Sequence, residues 1–292
     1  MKYSPLSPYF LALLAIVASA CSKRVPRVEG AIVSAADAGA SVGLASAVQA
    51  LVNPEKLPVY SGPTGAVEGV VFVTGPSAPD APPSGTYALC PAAARTRAKL
   101  FREAAPTSDG RRPLGDALVA VTGYHGFYLA ERHEAREVII DDCAAAPRTI
   151  DVTIGQRLEF INRTNALFAP SIEAEPTIAV MAAGKATGPI QLYPQKPGYF
   201  ALRDLLGGAF ASADLYVLLH PLHAVSDSSG HFRIEGVPVG KLQAFARLPS
   251  IRRESAAPVE VRAGETAHIE LTIAYAPEPT AVSTTERTKP VH

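Results

Sequence analysis

The chain of 292 residues has no tryptophan, only two methionines and three cysteines, and no excess of charge of either sign. Its 27 Lys and Arg residues are balanced by 27 Asp and Glu residues, so the composition offers no basic surface for nucleic acid or an anionic membrane. After the N-terminal segment, no apolar run is long enough to span a bilayer as a helix. The composition therefore argues against a nucleic-acid partner, and the length suits two domains that each bury a core.

The N-terminus has the features of an export signal. Lys2 supplies a positive charge, and a short apolar run, Phe10–Ala18, follows it and ends just before Cys21. Small residues directly before a cysteine resemble a bacterial lipobox, in which that cysteine is lipidated and becomes the new N-terminus. Ala18 departs from the pattern, since Leu is usual there. The resemblance implies that Cys21 is the lipidation site and that residues 1–20 are a signal peptide.

The localisation follows from the same segment. Ser22, rather than Asp, resembles the residue after the cysteine of lipoproteins that are sent on to the outer membrane. We therefore expect a lipid-anchored protein of the bacterial cell envelope, at the outer membrane and facing the periplasm. The alternative is an ordinary secretory signal with cleavage after Ala20. In either case the partners are expected in the envelope, as a protein or a glycan.

Two cysteines remain if Cys21 carries lipid. Cys90 and Cys143 would then lie in an oxidising compartment, where a disulfide between them is the economical interpretation. Two separate buried thiols are the alternative.

Shifts in composition divide the rest of the chain. Residues 21–65 are rich in small residues and proline and are expected to be a flexible tether, within which Ala40–Val52 could form a short helix with a diffuse apolar pattern. Residues 66–219 and 220–276 consist mostly of apolar and β-branched runs that predict strands. One helix is predicted, Cys90–Ala105, because Pro91 suits a first turn and good helix formers follow it. Residues 277–292 have little to bury and are expected to be a disordered tail.

The C-terminal strands carry the more specific motif, D-x-x-G-x-F followed by V-P-x-G. This pattern resembles the carboxypeptidase regulatory-like, or transthyretin-like, domain over residues 220–276. In that family the Asp and Gly form a turn, the Phe enters the core, and Pro-x-Gly forms the next corner. In this chain the corresponding residues are Asp227, Gly230, Phe232, Pro238 and Gly240.

The preceding segment resembles a cupredoxin-like domain of the plastocyanin type. The stretch "VTIGQRLEFIN" matches a strand pair of that family, and the layout is similar over residues 66–219. The two resemblances together imply a mainly β fold: a cupredoxin-like β-sandwich with one inserted helix, followed by a small transthyretin-like β-sandwich.

The copper ligands of that family are missing. Phe168 or Ala169 stands where its first copper histidine is expected. The loop before the last strand has no ligand either, at Leu205, Gly208 and Ala211. A blue-copper site needs a thiolate and two imidazoles, so we expect no metal and no cofactor.

Three histidines, His220, His223 and His231, lie close together in the sequence and raise the question of another metal site. Positions 220 and 223 point to opposite faces of an extended strand, and His231 is expected to face away from the core that Phe232 enters. Zinc prefers three or four ligands, so we interpret the histidines as part of the scaffold. His223 and His231 could still face each other across a hairpin and take up metal adventitiously.

Two further features bear on binding. The loops of residues 162–200 carry aromatic residues that look exposed, and they form the candidate binding loop: Phe168, Tyr193, Tyr199 and Phe200. A bland alternative is that this segment only connects strands. Asp141 and Asp142 could bind a cation, although carboxylates at a strand end more often face water.

No motif for a nucleophile, a phosphate loop or a metalloprotease is present. We therefore expect a non-enzymatic binding or structural protein that presents its loops to a protein, glycan or small ligand. The alternatives are a periplasmic copper-binding electron-transfer protein and an enzyme such as a hydrolase.

Overall fold

A computed structural model of the chain describes residues 46–81, 93, 97–164, 166–173, 182–183, 189–206 and 212–277. The signal peptide predicted at 1–20, the first part of the predicted tether and all but the first residue of the predicted tail lie outside these residues. In the part described, the protein is mainly β, as predicted. No helix in that part is both long and apolar enough to cross a membrane.

The described strands are mostly short and are numbered in chain order. They are β1 (Thr64–Thr74), β2 (Arg112–Pro113), β3 (Leu118–Thr122), β4 (Arg136–Asp141), β5 (Ala144–Ala146), β6 (Thr149–Thr153), β7 (Leu158–Asn162), β8 (Leu167–Phe168), β9 (Pro170–Ile172), β10 (Ala182–Ala183), β11 (Ile190–Leu192), β12 (Gly198–Asp204), β13 (Ala213–Leu218), β14 (His223–Val225), β15 (His231–Pro238), β16 (Gly240–Leu248), β17 (Arg253–Val261) and β18 (Thr266–Ala274).

Sixteen of these strands form two β-sandwiches, and β8 and β10 pair with each other in a separate two-stranded sheet. In the first, a sheet of order β15-β1-β18, with β2 on β1, packs against a sheet of order β14-β3-β16-β17. In the second, a sheet of order β11-β7-β4-β5 packs against one of order β6-β13-β12-β9. The strands of the second sandwich all lie between β3 and β14 in the chain. We call the first the flanking sandwich and the second the inserted sandwich.

This nesting corrects the predicted start of the first domain at residue 66. β1 pairs with β15 and β18, and β3 pairs with β14 and β16, so both belong with the C-terminal strands. The inserted sandwich therefore begins near β4 rather than at residue 66. β1 lies between two partner strands and hydrogen-bonds along both of its edges, one of them through a nine-residue parallel ladder with β18. Long-range pairing of this kind cannot be read from the local pattern of one strand.

Alternation of apolar and polar residues accounts for the core of the flanking sandwich. Phe232 and Ile234 are buried on one face of β15, while His231 and Arg233, which alternate with them, are exposed on the other face. The turn before β15 is built as expected, because the Asp227 carboxylate accepts hydrogen bonds from the amides at 229 and 231. Gly230 has a φ of +77°, and a Cβ there would approach the Val71 carbonyl oxygen to 2.6 Å, so glycine is required.

The helix predicted at Cys90–Ala105 is wrong in its second half. Residue 93 is helical, but residues 97–105 form turns and isolated bridges. The Leu100 amide donates to the Pro79 carbonyl, and the Ala104 amide donates to the Pro113 carbonyl. Pairing with other segments has overridden helix propensity here, and it buries Phe101 in the flanking core. Residues 90–92 and 94–96 lie outside the described residues.

The predicted flexible tether at 21–65 is also corrected for its last part. Residues 46–52 form helix α1, whose Val48 and Val52 pack against the core of the inserted sandwich. The Asn53 side chain then accepts from the Leu57 amide and donates to its carbonyl. Apolar contacts and a satisfied amide hold this segment to the fold, so a tether can only precede residue 46.

Candidate functional site

The predicted cysteine sites are described only in part. Cys21 and Cys90 lie outside the described residues. Cys143 is disulfide-bonded to a cysteine that is also outside them. The lipid site and the pairing of Cys90 with Cys143 therefore stay predictions.

The four aromatic residues of the predicted binding loop do not form one surface. Phe168 is buried in the core of the inserted sandwich, and Phe200 is half-buried against it. Tyr193 and Tyr199 are exposed. The Tyr199 hydroxyl donates to Asp214 at 2.6 Å, and its ring lies 5.2 Å from that of Tyr216. Of the predicted set, only the two tyrosines are accessible to a partner.

The two loops in which the resemblance would place copper ligands do converge. The Leu205 amide donates to the Ala169 carbonyl at 2.9 Å. Asp204 Oδ1 accepts from the amides of Ala169 and Leu206, which fixes the two loops side by side. Gly208 and Ala211 lie outside the described residues.

This junction exposes three large apolar side chains. Leu205 is 56% exposed and Leu206 is 51% exposed, while Leu167, two residues before Ala169, is 48% exposed. We call these three residues the leucine surface. Contiguous exposed apolar surface is typical of interaction sites, and these three residues all lie within two positions of the Asp204–Ala169 hydrogen bond.

The three histidines occupy different environments and do not form a metal site. His231 is exposed and lies 3.3 Å from the Glu68 carboxylate, whereas His223 is fully buried. The hypothesis that these two histidines face each other across a hairpin is therefore wrong. Within the described residues, no group of three or more His, Cys, Asp or Glu side chains could hold a metal ion.

His223 instead joins the two sandwiches. It lies on β14 of the flanking sandwich, while its Nδ1 is 2.8 Å from Asp151 Oδ2 and its Nε2 is 3.1 Å from Thr153 Oγ1, both on β6 of the inserted sandwich. Arg136 Nη2 lies 2.9 Å from the second Asp151 oxygen. Burial alone would raise the pKa of Asp151, but the hydrogen bond from His223 and the nearby positive charges outweigh it and lower that pKa.

A hydroxyl hydrogen-bonded to an imidazole, which is in turn hydrogen-bonded to a carboxylate, is also the arrangement that activates a nucleophile in enzymes. In this cluster, however, Thr153 has no exposed surface. Its backbone amide is bonded to the side chain of Gln156, which is buried as well. No substrate can reach the hydroxyl, so the cluster serves as a polar contact between the sandwiches.

His220 has a third environment. Its ring stands edge-on to Tyr124, with centroids 6.2 Å apart, and its buried Nδ1 has no hydrogen-bond partner among the described residues. Burial, with smaller effects from the charges of His223 and Arg132, lowers the pKa of His220 to about 4. The imidazole is therefore neutral near pH 7.

A cleft of about 480 Å³ lies between the segment of residues 97–103 and the chain around β5. Basic and acidic side chains both line it, with apolar residues between them. Asp141 and Asp142, the candidate cation ligands of the sequence, lie at one end of this cleft. The cleft itself is not predicted by the sequence.

No family profile and no curated protein matches the sequence. Solved structures similar to part of the chain include a reduced amicyanin variant, with 16% identity and a TM-score of 0.26. Another is a Cu(I) form of a second amicyanin variant, with 18% identity and a TM-score of 0.23. Each match covers 34% of this chain and 97% of the amicyanin chain. Similarity at this level carries no information on ligands or activity.

Proposed function

We propose that the protein is lipid-anchored in the bacterial cell envelope, where it binds another envelope protein through the leucine surface and catalyses no reaction. The observation that supports this proposal is the exposure of Leu205 and Leu206 beside the junction of the two loops. The Asp204 carboxylate accepts hydrogen bonds from the backbone amides of Ala169 and Leu206, so the backbone that carries the two leucines is bonded to the neighbouring loop.

A protein partner suits this surface better than a glycan does. Glycans are bound through hydrogen bonds to hydroxyl groups and through exposed aromatic rings, whereas the leucine surface offers aliphatic side chains. Full burial of an exposed leucine side chain contributes about 1.5–3 kcal/mol, and each of these three, at about half exposure, offers a partner roughly half of that.

The test is photo-crosslinking in envelope membranes, with a crosslinking amino acid placed at position 167. The expected result is a discrete crosslinked protein, which disappears when Leu205→Asp and Leu206→Asp are introduced together. Val239→Asp is the matched control, since Val239 is an exposed apolar residue of the flanking sandwich. No crosslinked protein, or crosslinking only to glycan, would overturn the proposal.

The anchor is tested separately. The variant Cys21→Ser should leave the membrane fraction or remain unprocessed, since the sulfur that takes up lipid is gone. Ser22→Ala is the matched control and should stay membrane-bound. If Cys21→Ser is cleaved normally and remains in the membrane fraction, lipid on this residue is not the anchor.

A further inference from the structure

The cleft between residues 97–103 and β5 contains a buried carboxylate that is only half satisfied. Asp116 is 4% exposed and lines both the cleft and a smaller cavity of about 170 Å³ beside it. Its Oδ1 accepts from Arg102 at 2.8 Å. Its Oδ2 accepts no hydrogen bond from any described residue. The nearest base, Arg148, has its Nε at 3.9 Å, which is too far to donate.

The backbone of Asp116 has an unfavourable conformation, which is found more often at functional sites than elsewhere. Asp116 has a φ of +65°, a conformation that is unfavourable for residues other than glycine and is tolerated best by Asn and Asp. Its carbonyl accepts from the buried Thr149 hydroxyl at 2.7 Å. A buried acceptor without a donor is costly unless a bound molecule supplies one.

Charges of both signs line the cleft. Arg102 is bonded to Asp116 yet has a side chain that is 42% exposed, so further guanidinium donors remain accessible beside the carboxylate. Glu103 is paired with Arg112 at 2.7 Å, and both side chains are largely buried, so that pair is neutral towards a ligand. Asp141 and Asp142 lie at the other end, on the turn before β5. Three further bases line the cleft, and each is bonded elsewhere: Lys99 pairs with Asp80, Arg97 donates to the Ala145 carbonyl, and Arg148 donates to the Lys99 carbonyl. The other described lining residues are apolar: Ala93, Phe101, Ala144, Ala145, Ala146 and Pro147.

We propose that this cleft is a binding site for an amino acid or short peptide, whose ammonium group donates to Asp116 and whose carboxylate accepts from Arg102. An acceptor beside a fork of donors is complementary to an ammonium group beside a carboxylate. Clefts that hold small ligands measure about 300–1,000 Å³, and the 480 Å³ found here lies in that range. None of the leucine-surface residues lines this cleft, so ligand binding in the cleft does not depend on the proposed function.

The test uses isothermal titration calorimetry on the full chain. The probes are dipeptides with apolar, acidic or basic side chains, each paired with its N-acetylated form and its C-terminal amide. At least one free dipeptide should bind saturably, and both blocked forms of it should bind at least about tenfold more weakly, since each lacks one charge-assisted hydrogen bond. Absence of saturable binding by every free dipeptide, or equal binding of the blocked forms, would overturn the proposal.

The variant Asp116→Asn links the binding to the site. Asn tolerates a positive φ and can still accept from Arg102, but it replaces the unsatisfied oxygen with an NH₂ donor. The affinity of the dipeptide should fall about tenfold to a hundredfold. Asp109→Asn is the matched control, because Asp109 pairs with Arg111 and does not line the cleft. Equal affinities of Asp116→Asn and the unaltered protein would contradict the site.

Discussion

His223 Nδ1 lies 2.8 Å from Asp151 Oδ2, and the two side chains belong to different sandwiches. Both are almost fully excluded from water, with 1% and 6% exposure. Removal of His223 would leave the buried Asp151 carboxylate without one of its hydrogen-bond partners, and an incompletely satisfied buried charge costs more than the intact contact contributes. This pair is therefore one of the contacts that hold the inserted sandwich to the flanking one, together with the hydrogen bond from the Thr149 hydroxyl to the Asp116 carbonyl.

The variant His223→Ala should be strongly destabilised. The Asp151 carboxylate would keep Arg136 but lose its buried partner from β14, and Thr153 would lose its hydrogen bond. We expect the free energy of unfolding to fall by about 3–5 kcal/mol. Chemical denaturation at pH 7 measures it, with circular dichroism as the signal.

His231→Ala is the control for this prediction. His231 contacts Glu68 at the surface, where an ion pair is screened by water and contributes little. If His223→Ala and His231→Ala lowered the free energy of unfolding equally, the buried contact between the sandwiches would contribute no more to stability than the surface contact, which would contradict the prediction.

Stability should fall between pH 6.5 and pH 4 because of His220. The pKa of this imidazole is lowered from 6.5 to about 4 by burial. The unfolded chain therefore takes up a proton near pH 6.5, which the folded protein accepts only near pH 4. The free energy of unfolding is therefore highest above pH 6.5, the pKa of this imidazole in the unfolded chain. It falls by about 2–3 kcal/mol as the pH is lowered from 6.5 to 4.

The variant His220→Phe isolates this effect. It keeps a ring beside Tyr124 and removes the titrating nitrogen, so the loss of stability over this window should shrink by about 2 kcal/mol. The measurement is urea unfolding at half-unit steps of pH. His268→Gln, at an exposed position on β18, should leave the pH profile unchanged. An identical profile for His220→Phe would show that other groups cause the loss.

The fold class could be read from the sequence because alternation is local. The pattern around Phe232 and Ile234 directly specifies which face of β15 is buried. The pairing of β1 with β18 could not be read, because the paired residues lie 200 positions apart in the chain and one β-branched strand suits either sandwich. The same limit produced the wrong helix, since residues 97–105 have helix-forming side chains but pair with distant backbone.

The site was less predictable. Asp151 stands in the apolar strand "TIDVT", and a charged residue in such a strand is a signal that it has a buried partner. Its partner His223 was recognised as scaffold but not matched to it. Asp116 gives no comparable signal, because its role depends on a positive φ and on Arg102, which approaches from another segment. The prediction that Phe168 is exposed in a binding loop is wrong. Its burial depends on strands that are distant in the sequence.

Cys143 should be joined to Cys90. Ala93, three residues after Cys90, packs against Cys143 and donates its amide to Asp142 at 2.8 Å, which brings that part of the chain close to the bonded sulfur. Peptide mapping without reductant should recover one peptide pair that contains both cysteines. Cys90→Ser should lower the free energy of unfolding by about 2–4 kcal/mol through loss of the cross-link. A peptide that links Cys143 to Cys21 would contradict the pairing.

The protein should bind no stoichiometric copper, although its inserted sandwich was predicted to be cupredoxin-like. A blue-copper site requires a thiolate and two imidazoles that converge from two loops. The corresponding loops do meet, since the Leu205 amide bonds to the Ala169 carbonyl, but neither side chain has a lone pair to donate. Phe168, the neighbour of Ala169, is packed into the core of the inserted sandwich.

Metal analysis after incubation with copper and desalting checks this prediction. The expected result is well below one copper per chain, and His223→Ala should not change it, because that imidazole is enclosed between Asp151 and Thr153. One copper per chain with an intense visible charge-transfer band would place a thiolate and imidazoles at the metal. Since Cys143 is held in a disulfide, such a band would require a thiolate from outside the described residues, and electron transfer would then become the leading function.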